Sequence, residues 1–392
     1  MSNTSRYTGA TKRQIKVDGI KDADLAALNG AVVELSIDSD IDQPDMATIV
    51  LHNQSRQKSQ RWSEKLELGK EITISLNFET RKDEQLFKGY IATIEPSYNM
   101  ETSDEAVPSR LVVRAFDPLH KLSRERKTVA FANITDADMV KKIAEDNKLT
   151  AEFGKEKPDT VKHPHVYQHN QTDLKFLRMR AARLGFRVHL NLKDNKLHFA
   201  KKESPEPIKL HAVSKLRADA TLLRFSARMS LANQVKEVKV RAYHPEKRKL
   251  IEGKAPKQEL SSLFENKNEV RIGASMVETK HVETDVPLGR SAESDSIAQA
   301  EADALAEAIL RERMLSFITA DGRCLGTPEL YAGAIADISC QDSRFDGLYL
   351  ITAVRHSYTP AGGFRSDFKC CRDAMTDPGN NARSDDSDGQ TG

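Results

Sequence analysis

Gly89-Tyr-Ile-Ala-Thr-Ile-Glu-Pro-Ser-Tyr98 aligns with Tyr349-Leu-Ile-Thr-Ala-Val-Arg-His-Ser-Tyr358. Both runs alternate apolar and polar residues, the pattern of a half-buried strand, and both end in Ser-Tyr. Two further elements keep the same order around them. Gly69 precedes Ile72-Thr-Ile74 as Gly333 precedes Ile335-Ala-Asp-Ile338, and the strand from Leu111 to Asp117 answers the one from Phe368 to Asp373. One alternating strand resembles any other, but three in fixed order, with only small drift in their spacing, indicate two copies of one β-domain.

Working outward, the segment up to Asp117 reads as β throughout. Ala31–Ile37, Met46–Leu51, Glu71–Leu76, Leu86–Ile94 and Leu111–Phe116 are short apolar or alternating runs bounded by Asp, Pro and Asn. Five or so strands at that spacing indicate an antiparallel barrel or sandwich. The middle differs. Thr135 and Thr172 each offer an N-cap hydroxyl ahead of an amphipathic run. Met139, Val140, Ile143 and Ala144 share a face of the first helix, and Leu174, Leu177, Ala181 and Leu184 share one of the second, which Gly185 terminates. A hairpin follows, Phe186–Leu190 and Leu197–Ala200. Strands resume at 220–228 and 235–243. The polar, Lys-rich stretch 244–268 reads as a loop, and 295–314 as an Ala-rich helix with Ile297, Leu305, Ala308 and Ile309 on one side. Strands close the chain at 316–320, 334–339, 348–356 and 366–371.

The expected architecture is mainly β with an α+β insertion. It comprises a flexible N-terminus (1–14), a first antiparallel β-barrel (15–118), an α+β middle domain (119–210) and a second, related barrel built from 211–243 and 314–375. The second barrel is split by a loop-and-helix excursion (244–313), and a polar tail (376–392) without apolar periodicity is read as disordered.

Composition narrows the function. The 392 residues carry 60 Lys and Arg against 58 Asp and Glu, a net charge of +2, so the chain as a whole is not a basic nucleic-acid coat. The near balance hides a basic middle: Leu119 to Arg217 holds 22 Lys and Arg against 12 Asp and Glu. That excess fits either a solvated face or a face toward an acidic partner or nucleic acid, and the solvated face is preferred. No run reaches about 18 apolar residues, so no membrane insertion is expected, and the N-terminus lacks the apolar core of a secretory signal.

No constellation points to catalysis. His163, His165 and His169 form a short histidine cluster without Cys or acidic ligands beside it, and are read as loop histidines rather than a metal site. The four cysteines show no CxxC spacing and are read as small reduced side chains. No carboxylate pair stands out in an apolar context as glycoside hydrolysis would need. There is no Walker loop and no GxGxxG. No cofactor, metal or catalytic residue is expected. A sugar-binding surface would want an aromatic platform, and Trp62 is the single tryptophan.

Pro164–Phe186, followed by Lys196-Leu-His-Phe199, resembles the signature of the phage late control D family: a Gln and a Thr-Asp before a Phe-Leu helix, a Gly, and a hairpin ending in Leu-x-Phe. Leu86–Ile91, Asp117–Arg124, Gly326–Gly333, Asp346–Tyr358 and Gly362–Phe368 resemble the family's β-domains and their connections. The resemblance spans roughly residues 15–375. It implies the baseplate hub of a contractile tail or injection machine, similar to the base of type VI secretion spike proteins. Such a hub is a homotrimer joining an inner-tube protein ring to a spike, with wedge proteins as neighbours and no specific nucleic acid. Spike proteins with a fused needle continue well beyond this pattern, so the resemblance implies a separate spike protein. It also implies synthesis in the bacterial cytoplasm and assembly in a tail-like particle. A tail-associated cell-wall hydrolase is the alternative. The candidate assembly residues are Phe87, Gly89, Tyr90 and Ile91 in the first copy and Gly333, Tyr349, Leu350 and Ile351 in the second.

Overall fold

Alternation of apolar and polar residues places one face of a strand on a core and leaves the other polar, as in Arg110–Phe116 and Ile318–Leu325. The computed structural model describes residues 12–376, apart from 54–60, 78–83, 98–109, 155–157, 159–161, 192–195, 201–205, 213–220, 245–247, 257–261, 265–269, 285–294, 341 and 343. Of the expected tail (376–392), Thr376 ends a strand and pairs with Val270, and 377–392 lie outside the described residues.

The first strand set comprises β1 (Lys12–Val17), α1 (Asp22–Ala31), β2 (Val32–Asp40), β3 (Gln43–His52), the one-turn α2 (Trp62–Lys65), β4 (Glu71–Asn77), β5 (Glu84–Ser97) and β6 (Arg110–Phe116). Its core takes every second residue: Leu35 and Ile37, Ile49 and Leu51, Ile72 and Ile74, Leu111 and Val113. β1 and α1 were absent from the sequence reading. β1 pairs with β4 from Lys12↔Asn77 to Val17↔Ile72, so 12–14 belong to the sheet and not to a flexible N-terminus.

The middle unit comprises α3 (Leu119–Leu122), β7 (Arg126–Ile134), α4 (Asp136–Asp146), β8 (Thr150–Glu152), β9 (His163–Thr172), α5 (Asp173–Leu184), β10 (Arg187–Asn191) and β11 (Lys196–Ala200). Both expected caps form: Thr135 Oγ1 accepts from Asp138 N–H and Thr172 Oγ1 from Lys175 N–H. The helices close on Phe131, Val166, Val188 and Phe199. The histidine stretch is a strand rather than a loop. β9 pairs antiparallel with β7, and the strand pattern was hidden because its outward residues are large and aromatic rather than plainly polar.

The last part comprises β12 (Ile208–His211), β13 (Leu222–Met229), β14 (Glu237–His244), β15 (Lys249–Ala255), β16 (Val270–Ile272), β17 (Lys280–Glu283), α6 (Asp295–Leu315), β18 (Ile318–Leu325), β19 (Ile335–Ser339), β20 (Gly347–Thr359), β21 (Gly363–Arg372) and β22 (Ala374–Thr376). β12 pairs with β19, so 208–210 sit with the second strand set and not with the middle unit. Within the stretch read as a Lys-rich loop, 249–255 is a strand paired to β14. Lys254 pairs with Glu237, and Glu252 with Lys239 and Arg241, on the outward face, while Ile251 and Ala255 pack on α6, so average polarity concealed the alternation. α6 buries Ala298, Ala302, Ala306, Leu310 and Met314, a narrow stripe at four-residue spacing, with Leu305 and Ile309 beside it and Ala308 only half-buried. Small residues let it lie close on β15; the expected face, built from the larger residues, was rotated.

The protein is mostly β, with a few helices and large antiparallel sheets. The two strand sets meet edge to edge in one 12-stranded sheet, ordered β1-β4-β5-β6-β3-β2-β20-β21-β18-β13, with β19 and β12 continuing from β20.

Candidate functional site

The repeat proposed from three strands extends to hydrogen bonds and bulges. Gly69 N–H donates to Ile91 O at 2.8 Å and Ile91 N–H to Lys70 O at 2.9 Å; Gly333 N–H donates to Ile351 O at 2.8 Å and Ile351 N–H to Ala334 O at 2.9 Å. Gly69 and Gly333 both take positive φ, 82° and 97°, which a side chain would strain. β5 bulges against β6 between Ile91 and Thr93, and β20 against β21 between Ile351 and Ala353. Bulges are specific local devices, so coincidence at one position in both copies marks equivalence.

Register then extends the match. Ala115 and Cys370 face the bulges, which sets Asp117 against Arg372 rather than Asp373, one residue from the sequence alignment. β3 corresponds to β18, and β2 to β13. The last pair shares a further bulge, between Val32 and Glu34 in one and between Leu222 and Arg224 in the other.

The candidate residues sit at the centre of this pattern. Phe87, Ile91, Tyr349, Leu350 and Ile351 are buried. Gly89 packs under β6 so closely that a Cβ would lie 2.2 Å from Phe116 O, with the Phe87 ring beside it. At the equivalent positions of the second copy, Gly347 replaces Phe87 and Tyr349 replaces Gly89, so each copy fills the same space from a different position. Tyr349 Oη donates to Phe345 O at 2.7 Å. Tyr90 is half-exposed, and its Oη lies 2.5 Å from His120 Nδ1. Every one of these side chains serves the sheet's own core or edge; Tyr90 alone presents much surface.

The join between copies is β2 on the second half of β20, from Leu35↔Tyr358 to Asp40↔Ala353. On its polar face Asp38 pairs with Arg355 at 3.5 Å. Burial raises the Asp38 carboxyl and Arg355 opposes the rise. The same face carries Arg114–Glu95, Arg323–Asp367 and Arg224–Asp321, a band of ion pairs crossing both copies that sequence reading missed. Asp38–Arg355 and Arg323–Asp367 stand directly across strands and the other two pairs diagonally, and only the register reveals them.

The histidine cluster disperses. His163 is buried, its Nε2 2.8 Å from Asp136 Oδ2, and Arg180 clamps the same carboxylate at 2.7 and 3.0 Å. Against the upward pull of burial, that network holds Asp136 well below the usual carboxylate range. His165 and His169 lie outward, stacked on either side of Tyr167. No group of three or more potential metal ligands occurs among the described residues. Burial pushes the Cys324 thiol to about 12 and the Cys370 thiol well above its usual value, so neither is a nucleophile at neutral pH. Asp45 and Asp117 adjoin where β3 meets α3; burial pushes both carboxyls up, with added repulsion from Asp40 and Asp38 on Asp45 and from Asp45 on Asp117. No helix among the described residues is long and apolar enough to cross a membrane.

This fold is that of phage tail proteins. A 43 kDa tail protein of prophage MuSo2 from Shewanella oneidensis superposes with a TM-score of 0.64 at 10% identity, covering 93% of this chain and 100% of that one. A tail protein from Neisseria meningitidis MC58 gives 0.64 at 14% identity, covering 93% and 97%. The E. coli c3393 protein, described as a component of the type VI secretion system with structural similarity to T4 bacteriophage tail proteins gp27 and gp5, gives 0.54 at 14% identity, covering 92% and 76%. No curated protein matches by sequence. The chain belongs to the Alg8 N-terminal domain family, whose pattern matches residues 9–360.

Proposed function

We propose that this chain is a structural hub in the baseplate of a contractile injection machine, a homotrimer that adapts a hexameric inner tube to a trimeric spike. The observation that carries this reading is the doubled strand set. A closed trimer of chains that each hold two equivalent copies offers six similar faces around its axis, the match a sixfold ring requires. The tail-protein fold supports the setting, and the late control D resemblance is the finer assignment within it. In this reading Phe87, Gly89, Tyr90 and Ile91, with Gly333, Tyr349, Leu350 and Ile351, shape the platform under the tube, and the middle unit turns toward wedge or spike proteins. The work is binding, without catalysis or cofactor, in a particle assembled from protein made in the bacterial cytoplasm.

Light scattering on the purified chain at micromolar concentration tests it. The expected mass is three times 43.8 kDa. A monomer that persists when the spike protein is added overturns the adaptor reading.

A further inference from the structure

Two of the long sheet's edges match the two sides of the internal join and carry no strand partner among the described residues. One is the outer edge of β13, which pairs with β18 on its other side and is touched only by a single bridge from Ala212 to Leu222 at its start. The second is the latter half of β5. β4 pairs with β5 only as far as Tyr90, and beyond Ile91 the strand is paired through β6 alone. Unpaired edges of this kind bind other strands readily.

In the second copy the matching edge is already filled. The latter half of β20 corresponds to that half of β5, and β2 lies on it. Since β2 corresponds to β13, the internal join has an unmade twin. We propose that β13 of one chain adds antiparallel to residues 92–97 of β5 in the next chain, in the register β2 adopts on β20. The proposal rests on the trimer reading. The seam is head to tail, so it closes as a ring when the rotation allows, here after three chains.

The shared bulges fix the correspondence, Val32 with Leu222 and Ile351 with Ile91, and carrying the internal register across it gives the contacts. Ser36↔Ser357 becomes Ser226↔Ser97, and Asp38↔Arg355 becomes Arg228↔Glu95. The ion pair is kept with its charges exchanged, and all four of these residues are exposed in the single chain. Ile41, just past β2, donates its N–H to Thr352 O at 3.0 Å and packs on Leu350, Ile335 and Cys371. Its counterpart is Leu231, a leucine left 43% exposed. The counterparts of Leu350 and Cys371 are Tyr90 and Phe116, both half-exposed. The seam therefore covers an exposed leucine with two half-buried aromatic rings and brings Leu231 N–H to Ala92 O. Pro96 faces Ala227 and has no N–H to give, so this seam is one donor shorter than the internal one. A proline on an open edge also discourages indiscriminate pairing.

Cysteine pairs in the full chain test the register. Ser97→Cys with Ser226→Cys, and separately Glu95→Cys with Arg228→Cys, occupy non-hydrogen-bonded positions, where opposed Cα atoms lie about 4.5 Å apart and disulfides form well. Mild oxidation is expected to give reducible dimer and trimer bands on a denaturing gel with either pair, and none with the single variants. Ser97→Cys with Arg224→Cys, two residues out of register, should stay unlinked. A wild-type trimer in which neither in-register pair links, or in which the off-register pair links better, overturns the seam and leaves the hub reading standing. A monomeric wild type overturns both.

Discussion

His356 sets a pH limit on the second strand set. Its buried ring lies with Nε2 2.9 Å from Leu330 O and Nδ1 2.8 Å from Ser366 Oγ. A carbonyl only accepts, so Nε2 carries the proton and Nδ1 accepts the hydroxyl hydrogen of Ser366, whose oxygen accepts from Thr327 N–H at 3.1 Å. Protonating Nδ1 would turn an acceptor into a donor and leave the Ser366 hydrogen without a partner. Burial accordingly pulls the imidazole down from 6.5 to about 4. Between those values the unfolded chain binds the proton and the folded one does not. The neutral ring's contribution is therefore full above about pH 6.5 and is lost as pH falls toward 4. At about 1.36 kcal/mol per unit, the loss is about 2 kcal/mol by pH 5 and about 3 kcal/mol by pH 4. Asp45 and Asp117 act in the opposite sense. Their raised carboxyls hold protons in the folded state, so stability falls as pH rises above the ordinary carboxylate range. The measurement is therefore a difference: urea unfolding of the wild type and of His356→Gln from pH 4.5 to 7.5, at fixed protomer concentration because assembly adds to apparent stability. The wild-type advantage should shrink by about 2 kcal/mol between pH 7 and pH 5. A difference that stays flat across this range would refute the tautomer assignment and the role of burial.

Asp136→Ala leaves Arg180 and His163 buried without their shared carboxylate, and should cost about 3–5 kcal/mol in denaturant unfolding. Gly89→Ala drives a methyl group into the carbonyl of Phe116 and should cost at least about 1–3 kcal/mol, whereas Gly30→Ala, in α1 with nothing within 4 Å of the new atom, should be neutral or stabilising by up to about 1 kcal/mol in thermal melts. Thiol labelling at pH 8 should modify Cys340, which is only partly buried, well before Cys324 and Cys370; equal rates would contradict their burial. Zymography on cell-wall substrate should show no clearing, and lysis abolished by a carboxylate substitution would replace the structural reading with an enzymatic one.

The legible parts of the sequence were those where one physical signal dominated. Alternation marked β2 to β6 and β18 to β21, and Thr135 and Thr172 marked helix starts because a hydroxyl at an N-cap meets a backbone donor that nothing else satisfies. β1 was missed because its apolar residues, Ile15 and Val17, are only two and follow a polar Lys-Arg-Gln stretch. β9 was missed because rings took the place of ordinary polar residues, and β15 because ion-paired Glu252 and Lys254 and exposed Lys249 raised its average polarity. The candidate assembly residues lie at core and close-packing positions of the sheet. The open edges and the band of ion pairs were not recognised, since Asp38 and Arg355 stand near opposite ends of the chain and meet only through register.

The repeat opened by two short stretches was determined by the sequence itself: a period-two pattern, a glycine ahead of it and a fixed order are local properties that survive without any knowledge of contacts. Which strands lie beside one another was decided by the tertiary structure. Backbone pairing is blind to side-chain identity, so an edge becomes filled or open according to what the folded chain brings to it. The fold brings β2 to β20 and leaves the latter half of β5 and the outer edge of β13 without a strand partner among the described residues, an inequality between two otherwise equivalent copies that no local pattern shows.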